Sequence, residues 1–252
     1  MIVIIFIIII VVVLSRKHVM EKFDNINQLK YSNTQGRFGD EYEHVKNEYI
    51  NMDSKIISKI EKLLEKPPEN SDKITYDELT QLLEKKKQRN STIYKQIYNQ
   101  AYRDFLTTYL DILVKHNIEI DFIDIDQLSQ DFVNIDIYIY ILKKYHDRPR
   151  PTVLMKYMND NNIRDEELLP FIKLPTHPAY PSGHATQCKF LAEYLSNLDP
   201  KNKTKYHDIC EHISSNREFA GLHYRSDTEA GYNLGKILYK ALSKNVNPWE
   251  LS

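Results

Sequence analysis

The sequence predicts an all-α protein, a helical bundle, and three observations favour this fold class. Apolar residues recur at helical spacing over residues 93–113 and again in three segments after residue 184. Residues 135–141 alternate apolar and polar like a strand, but the chain offers no partner strands, so we interpret this stretch as helix. No internal repeat and no glycine-rich loop interrupts the pattern.

Each predicted helix has its own sequence signal. Thr75 is followed three residues later by Glu78, which is typical of a capping box and predicts a helix start there. The longer helix that follows is indicated by Ile93, Ile97, Ala101, Phe105, Tyr109 and Leu113. The three later stripes are Cys188, Leu191, Leu195 and Leu198; Tyr206, Ile209, Cys210 and Ile213; and Ala230, Leu234, Ile237, Leu238 and Ala241. Both cysteines lie on these apolar stripes, so we expect core thiols.

The N-terminus contrasts with this polar chain. Residues 1–14, MIVIIFIIIIVVVL, are unbroken apolar residues, followed at once by Ser15, Arg16, Lys17 and His18. A helix of this length spans about 21 Å, less than the ~30 Å hydrocarbon core of a bilayer. A cleaved signal peptide would need a basic start and a small-residue cleavage site, which are missing, so a single-pass membrane anchor is favoured. The basic flank follows the apolar run, which predicts a cytoplasmic location for the remainder.

The rest of the chain divides into two predicted parts. Residues 15–73 form a polar spacer with one amphipathic helix, marked by Ile56, Ile57, Ile60, Leu63 and Leu64 and ended by Pro67 and Pro68. Residues 74–252 form the helical domain. No other segment reaches eighteen apolar residues, which excludes a multi-span membrane protein. The net charge of −1 leaves no electrostatic footprint for nucleic acid.

Three segments carry residues that suit anion chemistry. They are KKYHDRPRP with Lys143 and Arg150, PSGH with Ser182, Gly183 and His184, and NREFAGLHYRSD with Arg217, His223 and Asp227. Arg217 continues the apolar stripe of Ile213 by four residues, and a buried cation must be paired or bound to something. His223 and Asp227 are four residues apart, so if a helix begins near Tyr224 the carboxylate can reach one imidazole nitrogen. The other nitrogen is then free to act as a nucleophile or base.

Together, the pattern K-x6-RP, PSGH and R-x5-H-x3-D resembles the type 2 phosphatidic acid phosphatase and vanadium haloperoxidase superfamily, in particular its soluble acid phosphatase-like members. The resemblance covers residues 143–227 by motif and residues 75–245 by helical architecture. It implies a metal-independent phosphoric ester hydrolase that acts on phosphomonoesters, lipid phosphates or pyrophosphates through a phosphohistidine.

The resemblance also implies a role for each motif residue. Lys143, Arg150 and Arg217 would bind the phosphate oxygens. The Ser182 hydroxyl and the Gly183 N–H would donate further hydrogen bonds at a helix N-terminus. His184 would protonate the leaving oxygen, His223 would attack phosphorus, and Asp227 would orient His223.

The chain departs from the family pattern at one position and offers a competing register at another. The third motif usually begins Ser-Arg, whereas Asn216 precedes Arg217 here. Arg148 also precedes a proline, but only Arg150 keeps the six-residue spacing from Lys143. We expect Asn216 to tune the site while activity is retained.

Alternatives from other classes remain open. A vanadium haloperoxidase would use the same pocket with vanadate as its cofactor, but 252 residues is short for that branch, which favours a phosphatase without cofactor. The pairs His146–Asp147 and His207–Asp208 could belong to a metal phosphohydrolase, but their contexts supply no further ligands. A non-catalytic, membrane-tethered adaptor would predict eroded motifs. The expected partners are a phosphorylated small molecule or lipid as substrate, and a membrane bound through the N-terminal segment.

Overall fold

In the described part of the chain, all regular secondary structure is helical, which confirms the predicted all-α class. The computed structural model describes residues 25–34, 59, 62–158, 172–244, 246 and 248. Its helices are α1 (Tyr31–Thr34), α2 (Lys73–Lys87), α3 (Ser91–Tyr102), α4 (Phe105–Lys115), α5 (Ile125–His146), α6 (Pro151–Met158), α7 (Gly183–Leu198), α8 (Lys203–Phe219) and α9 (Arg225–Lys244). A 3₁₀ turn, Pro200–Asn202, joins α7 to α8. Residues 135–141 lie inside α5.

The predicted anchor at residues 1–14 lies outside the described residues and stays a prediction. Within the described ranges, no helix is both long enough and apolar enough to cross a bilayer.

Side-chain caps fix where several helices begin. Asn90 Oδ1 accepts the N–H of Ile93 at 3.0 Å at the start of α3. Asp104 and Asp124 cap α4 and α5 in the same way, at 2.8 Å and 2.9 Å. Each cap satisfies one backbone donor that the first helical turn leaves unpaired.

The capping box predicted for Thr75 and Glu78 is wrong. Helix α2 begins two residues earlier, at Lys73, with Asp72 as its N-cap. The Thr75 hydroxyl donates instead to the carbonyl of Glu69 at 2.7 Å, and the Glu78 side chain is buried in the interior. Both residues lie on the buried face of α2, where Thr75 bonds the preceding turn and Glu78 bonds the distant Ser226.

Helix α7 is the centre of the fold, and it packs along both α8 and α9. Its apolar residues join α4, α5, α8 and α9 in the main core, which includes Cys188, Leu191, Leu195, Ile213 and Leu234. Cys188 and Cys210 are buried and free, as the sequence predicts for core thiols.

Two glycines of α9 allow its close approach to α7. A Cβ atom added at Gly231 would lie 2.6 Å from the Ser182 carbonyl oxygen, and one at Gly235 would lie 2.5 Å from that of Thr186. The two helices meet backbone to backbone there, and the N–H of Ser182 donates to the carbonyl of Asp227 at 2.9 Å. This contact joins the start of α7 to the start of α9.

Parts of the predicted spacer pack against the helical domain. Ile26 and Tyr31 are buried, and the N–H of Tyr31 donates to the carbonyl of Asp147 at 2.8 Å. The Asn70 amide donates to the carbonyl of Ile26 at 2.9 Å. Leu64 belongs to the main core. The domain boundaries stay predictions, and most of the predicted helix over residues 56–64 lies outside the described ranges.

The close α7–α9 contact predicts the effect of one small substitution. Gly235→Ala should lower the free energy of unfolding by about 1–3 kcal/mol, because overpacking forces the backbones apart. In an unconstrained helix the same change stabilises by roughly 1 kcal/mol, so the sign of the effect is diagnostic. Urea unfolding measures it. Gly183→Ala is the matched control, since its Cβ would lie an ordinary 3.6 Å from Ile139, and it should not lower the stability. Equal stability of the Gly235→Ala and wild-type proteins would contradict the packing argument.

Candidate active site

A cavity of about 460 Å³ opens where α5 ends and α7 begins. This volume is within the range of roughly 300–1,000 Å³ that is typical of small-molecule sites. Among the predicted site residues, its wall includes Lys143, Gly183, His184, Arg217 and His223. Arg150, Ser182 and Asp227 are fully buried directly behind that wall. The structure therefore brings all eight predicted residues together around one cavity.

Two backbone turns aim the motif residues at the cavity. Asp147 ends α5 in the left-handed conformation, with φ of 50°, so the chain reverses before Arg150. Gly221 follows α8 with φ of 73°, a conformation that glycine adopts without strain. The N–H of Leu222 then closes the end of α8 on the carbonyl of Arg217, at 3.1 Å, and His223 follows at the cavity wall.

The partners of His223 define its tautomer. Its Nε2 lies 3.0 Å from Nη1 of Arg150. A guanidinium can only donate, so Nε2 must carry the lone pair. The proton of the neutral ring is then on Nδ1, which donates to Oδ2 of Asp227 at 3.2 Å. Burial, followed by the charges of Arg150 and Lys143, holds the pKa of His223 well below its ordinary value. His223 is therefore a neutral imidazole with its lone pair at Nε2.

The Asp227 carboxylate is held by two further donors. The N–H of Tyr224 donates to Oδ2 at 3.0 Å, and Nη1 of Arg148 donates to Oδ1 at 2.6 Å. The Arg148 guanidinium stacks 3.8 Å from the centre of the Tyr224 ring. Both carboxylate oxygens thus have fixed donors, which fixes the direction in which Asp227 presents Oδ2 to His223.

Glu78 completes this buried cluster from α2. Its carboxylate accepts hydrogen bonds from the N–H and the hydroxyl of Ser226, and it lies 3.4 Å from Nη2 of Arg148. Burial raises the pKa of Glu78, while the charge of Arg148 opposes that rise. The competing register is thereby resolved in space: Arg148 faces the carboxylates, and Arg150 faces the cavity histidine.

Of the three predicted phosphate-binding cations, Lys143 and Arg217 line the cavity and Arg150 is buried behind its wall. Nζ of Lys143 donates to the carbonyls of Pro178 and Ala179, at 2.8 Å and 3.2 Å. Arg150 donates to the carbonyls of His177 and Leu222. In the part of the chain that the structure describes, Nε and Nη1 of Arg217 are buried without a hydrogen-bond partner.

Burial and mutual repulsion change the acidity of these cations. The pKa of Lys143 falls well below its ordinary value, because the side chain is buried beside Arg150 and Arg217. Burial lowers the pKa of Arg150 to about 10. Burial and Arg150 lower that of Arg217 to about 9. Such a concentration of buried positive charge is stabilised by an anion.

The start of α7 supplies the remaining predicted residues. Ser182 Oγ accepts the N–H of Ala185 at 3.4 Å and caps the helix. Gly183 is the first helical residue, and its Cβ position would meet only Ile139 at 3.6 Å, so packing alone does not require glycine there. Its lack of a side chain leaves the helix N-terminus open to the cavity, where the first N–H groups have no partner within the helix.

His184 lies beside this helix N-terminus with a weak partner of its own. Its Nε2 lies 3.4 Å from the carbonyl oxygen of Gln100, and its ring packs edge-on against Phe105. Burial and the charge of Arg217 hold the pKa of His184 well below its ordinary value. Without an anion in the cavity, His184 is therefore neutral.

Sequence reasoning missed several residues of the site. Glu78 occupies the apolar face of α2 with Leu79 and Leu82, a position that signals a buried carboxylate. His177 lines the cavity, and its Nδ1 lies 3.0 Å from Nη2 of Arg150. Asp136 also lines the cavity. It lies in residues 135–141, where the alternating apolar residues are the only signal in the sequence. In the described residues, no three potential metal ligands lie together.

Comparisons with known proteins return a small set of similar chains. No family model matches. Non-specific acid phosphatases of Salmonella typhimurium and Salmonella typhi are each 31% identical over 100 residues, or 40% of this chain. The match spans 38% of the length of those relatives.

Solved structures match over more of the chain. A bacterial vanadium-dependent iodoperoxidase aligns with a TM-score of 0.54 and 15% identity, over 73% of this chain and 52% of that one. A transmembrane PAP2-type phosphatidylglycerolphosphate phosphatase from Bacillus subtilis aligns with a TM-score of 0.46 and 17% identity, over 70% of this chain and 89% of that one. The likeness to the iodoperoxidase supports the all-helical fold, and the sequence match to the acid phosphatases is consistent with the superfamily that the three motifs resemble, the type 2 phosphatidic acid phosphatases and vanadium haloperoxidases.

Proposed function

We propose that the protein is a phosphoric ester hydrolase that cleaves phosphomonoesters through a phosphohistidine on His223 and needs no metal ion. One observation carries the proposal: Lys143, Arg217 and two neutral histidines line a single cavity, and Arg150 contacts His223 from behind its wall. Phosphoryl transfer requires neutralised phosphate oxygens, an in-line nucleophile and an acid on the opposite side. The cavity wall supplies a candidate for each requirement.

Substrate binding begins with the unpaired donors. Arg217 can give Nε–H and Nη1–H to two phosphate oxygens without breaking any hydrogen bond among the described residues. Lys143 and the N-terminus of α7 reach the same space. Arg150 exchanges its contact with His223 for a phosphate oxygen. The cations then do the neutralising that Mg²⁺ does in other phosphoryl-transfer sites.

The release of Arg150 from His223 exposes the nucleophile. The Nε2 lone pair forms the N–P bond while the bond from phosphorus to the leaving oxygen breaks. The positive charge that develops on the ring is stabilised through Nδ1–H by Asp227, whose own position is fixed by Arg148.

His184 supplies and then recovers a proton. The bound dianion offsets the charge of Arg217, so the affinity of His184 for a proton rises when substrate binds. His184 donates to the leaving oxygen as the ester bond breaks. In the second step it takes a proton from water as that water cleaves the N–P bond, which releases phosphate and restores His223.

The same donors fit vanadate, which presents the oxygens of a tetrahedral anion as phosphate does. Lys143, Arg217 and Gly183 would hold its oxygens, with His223 Nε2 directed at the metal. Bound vanadate would supply peroxide activation for halide oxidation. This is the second candidate function, and the likeness of the fold to an iodoperoxidase favours it.

Two features of the chain bear on the class of substrate. The cavity wall carries the charged side chains of Lys143 and Arg217, which suits small phosphorylated molecules. A membrane anchor at residues 1–14 would also bring lipid phosphates within reach of the same cavity.

The proposed roles of the two histidines predict different effects of their substitution on turnover and on phosphoenzyme formation. His223→Ala should abolish turnover of every substrate and prevent formation of an acid-labile phosphoenzyme. His184→Ala should lose about 10²–10⁴-fold on alkyl phosphates, yet still form the phosphoenzyme from p-nitrophenyl phosphate, whose leaving group needs no proton. Asp227→Asn should fall between the two. Rapid-quench labelling measures the intermediate. Phosphate trapped on the His223→Ala protein but not on His184→Ala would invert the assignment.

The lowered pKa of His184 adds a pH dependence to this prediction. In the substrate complex the dianion offsets the Arg217 charge that lowers the pKa of His184, so its acid form becomes more populated as pH falls, while the Nε2 lone pair of His223 is directed at phosphorus. Hence kcat for alkyl phosphates should rise toward acidic pH in the wild type. His184→Ala should remove that rise.

Metal independence gives a prediction for the whole protein. Hydrolysis of p-nitrophenyl phosphate should persist in excess EDTA, because side-chain cations neutralise the phosphate. Orthovanadate should inhibit by occupying the same donors. Loss of activity on chelation, with recovery in Mg²⁺ or Zn²⁺, would refute the metal-free mechanism. Peroxide-dependent iodide oxidation by the vanadate-loaded protein, without phosphatase activity, would move the assignment to haloperoxidase.

Arg217 predicts opposite effects on binding and stability. Arg217→Met should weaken inorganic phosphate binding at least ~10-fold, because charge-assisted hydrogen bonds contribute about 1.5–3 kcal/mol each. The same variant should unfold at a higher temperature without anion, since the lowered pKa of Arg217 means that folding disfavours its charge. Calorimetry gives both quantities.

The matched control is Arg225→Met. Arg225 is partly exposed and bonds Glu211 at 2.9 Å and Glu229 at 3.1 Å, outside the cavity wall. Its loss should leave phosphate affinity unchanged and should not raise the unfolding temperature. Unchanged phosphate affinity in Arg217→Met would contradict the assignment of Arg217 to the anion site.

A further inference from the structure

A carboxylate–amide pair lines the cavity at a distance from the cations. Asp136 of α5 and Gln187 of α7 both belong to the wall, and Gln187 Nε2 donates to Asp136 Oδ1 at 2.9 Å. Of the residues that the structure describes, Gln187 is the single hydrogen-bond partner of the Asp136 carboxylate.

The position of this pair follows from helix geometry. Asp136 precedes Lys143 by seven residues on α5, which is two helical turns or about 10 Å along the axis. Gln187 follows His184 by three residues on α7, one turn further from the helix N-terminus. Both steps lead along the cavity wall away from the phosphate-binding cations. In the proposed reaction, this is the side occupied by the leaving alcohol.

Fold stability does not account for a carboxylate here. Burial raises the pKa of Asp136 to about 6, against the effect of its hydrogen bond from Gln187. Asp104 also lines the cavity, but it caps α4 through the N–H of Thr107. Asp136 caps no helix and pairs with no cation among the described residues. A partly buried carboxylate with one hydrogen-bond donor disfavours folding, and a ligand that donates further hydrogen bonds to it relieves that cost.

We propose that Asp136 and Gln187 form a leaving-group subsite that binds sugar hydroxyls, so that the preferred substrates are sugar phosphates. The inference rests on the proposed phosphatase function of the same cavity. A carboxylate accepts hydrogen bonds from hydroxyl groups, and the Gln187 amide both donates and accepts. A hexose 6-phosphate carries its ring hydroxyls several bonds from phosphorus, which suits a pair that lies beyond His184.

The test compares two substrates that differ in their ring hydroxyls. Glucose 6-phosphate and cyclohexylmethyl phosphate share a primary alkyl ester and a six-membered ring. Asp136→Leu should lower kcat/KM for glucose 6-phosphate at least ~10-fold, which corresponds to one lost hydrogen bond to a charged group. The value for cyclohexylmethyl phosphate should stay equal or rise. Asp136→Asn, which keeps the shape of the side chain, should show a smaller loss on glucose 6-phosphate alone.

Asp131 provides the matched control on the same helix. Its carboxylate accepts from the Gln127 amide at 3.0 Å on the protein surface, so it repeats the Asp–Gln pair outside the cavity. Asp131→Leu should leave the ratio of the two kcat/KM values unchanged. An equal loss on both substrates in Asp136→Leu and Asp136→Asn would overturn the subsite, because Asp136 would then act on folding or chemistry.

Binding of phosphonates separates this inference from the proposed function. The phosphonate isostere of glucose 6-phosphate and cyclohexylmethyl phosphonate cannot be hydrolysed, so calorimetry gives their Kd values without turnover. The wild type should bind the sugar phosphonate at least ~10-fold more tightly, and Asp136→Leu should remove the difference. Equal wild-type Kd values overturn the subsite. Wild-type protein that cleaves no phosphate ester overturns the proposed function, while the Kd difference still decides the subsite.

Discussion

Buried positive charge around one histidine–carboxylate pair is the constraint on which the rest of this structure depends. Lys143, Arg148, Arg150 and Arg217 are all buried, and only Asp227 and Glu78 face them as buried carboxylates in the described structure. The other buried carboxylate, Glu218, pairs with Lys85 and Arg225 instead. With all four cations protonated, two positive charges remain uncompensated. A phosphomonoester dianion carries the charge that would balance them.

The same electrostatic field sets the state of both histidines. Burial and the neighbouring cations lower the pKa values of His184 and His223, so both rings are neutral in the absence of an anion. A neutral ring suits the nucleophile, and Arg150 keeps its lone pair at Nε2. A proton donor needs the opposite charge, which an incoming dianion favours. In the proposed reaction, substrate binding therefore prepares the acid, while the lone pair at Nε2 of His223 is used for attack on phosphorus.

How much of this site the sequence predicts depends on how local each interaction is. The His223–Asp227 pair follows from a four-residue spacing across the start of α9, since His223 precedes the helix and Asp227 lies in its first turn. The six-residue spacing from Lys143 in the family pattern selects Arg150 over Arg148. The capping role predicted for Glu78 is wrong because the partner of its carboxylate, Ser226, lies 148 residues away, and a local pattern does not indicate such a partner. Gly231 and Gly235 are needed because α7 packs closely against α9 at these positions. The spacing of residues within α9 does not predict which helix packs there.

The two ends of the cavity are built from different kinds of interaction. In the proposed reaction, one end carries out phosphoryl transfer and the other selects the leaving group. Main-chain carbonyls, helix termini and buried charge pairs fix the cation end, so a change at Arg150 or Asp227 disturbs several partners at once. At the other end, Asp136 contacts one amide of one neighbouring helix. A substitution there leaves the anchoring of Lys143, two turns away on α5, intact. In a cavity built in this way, the specificity for the leaving group can change while the phosphate-binding donors stay the same.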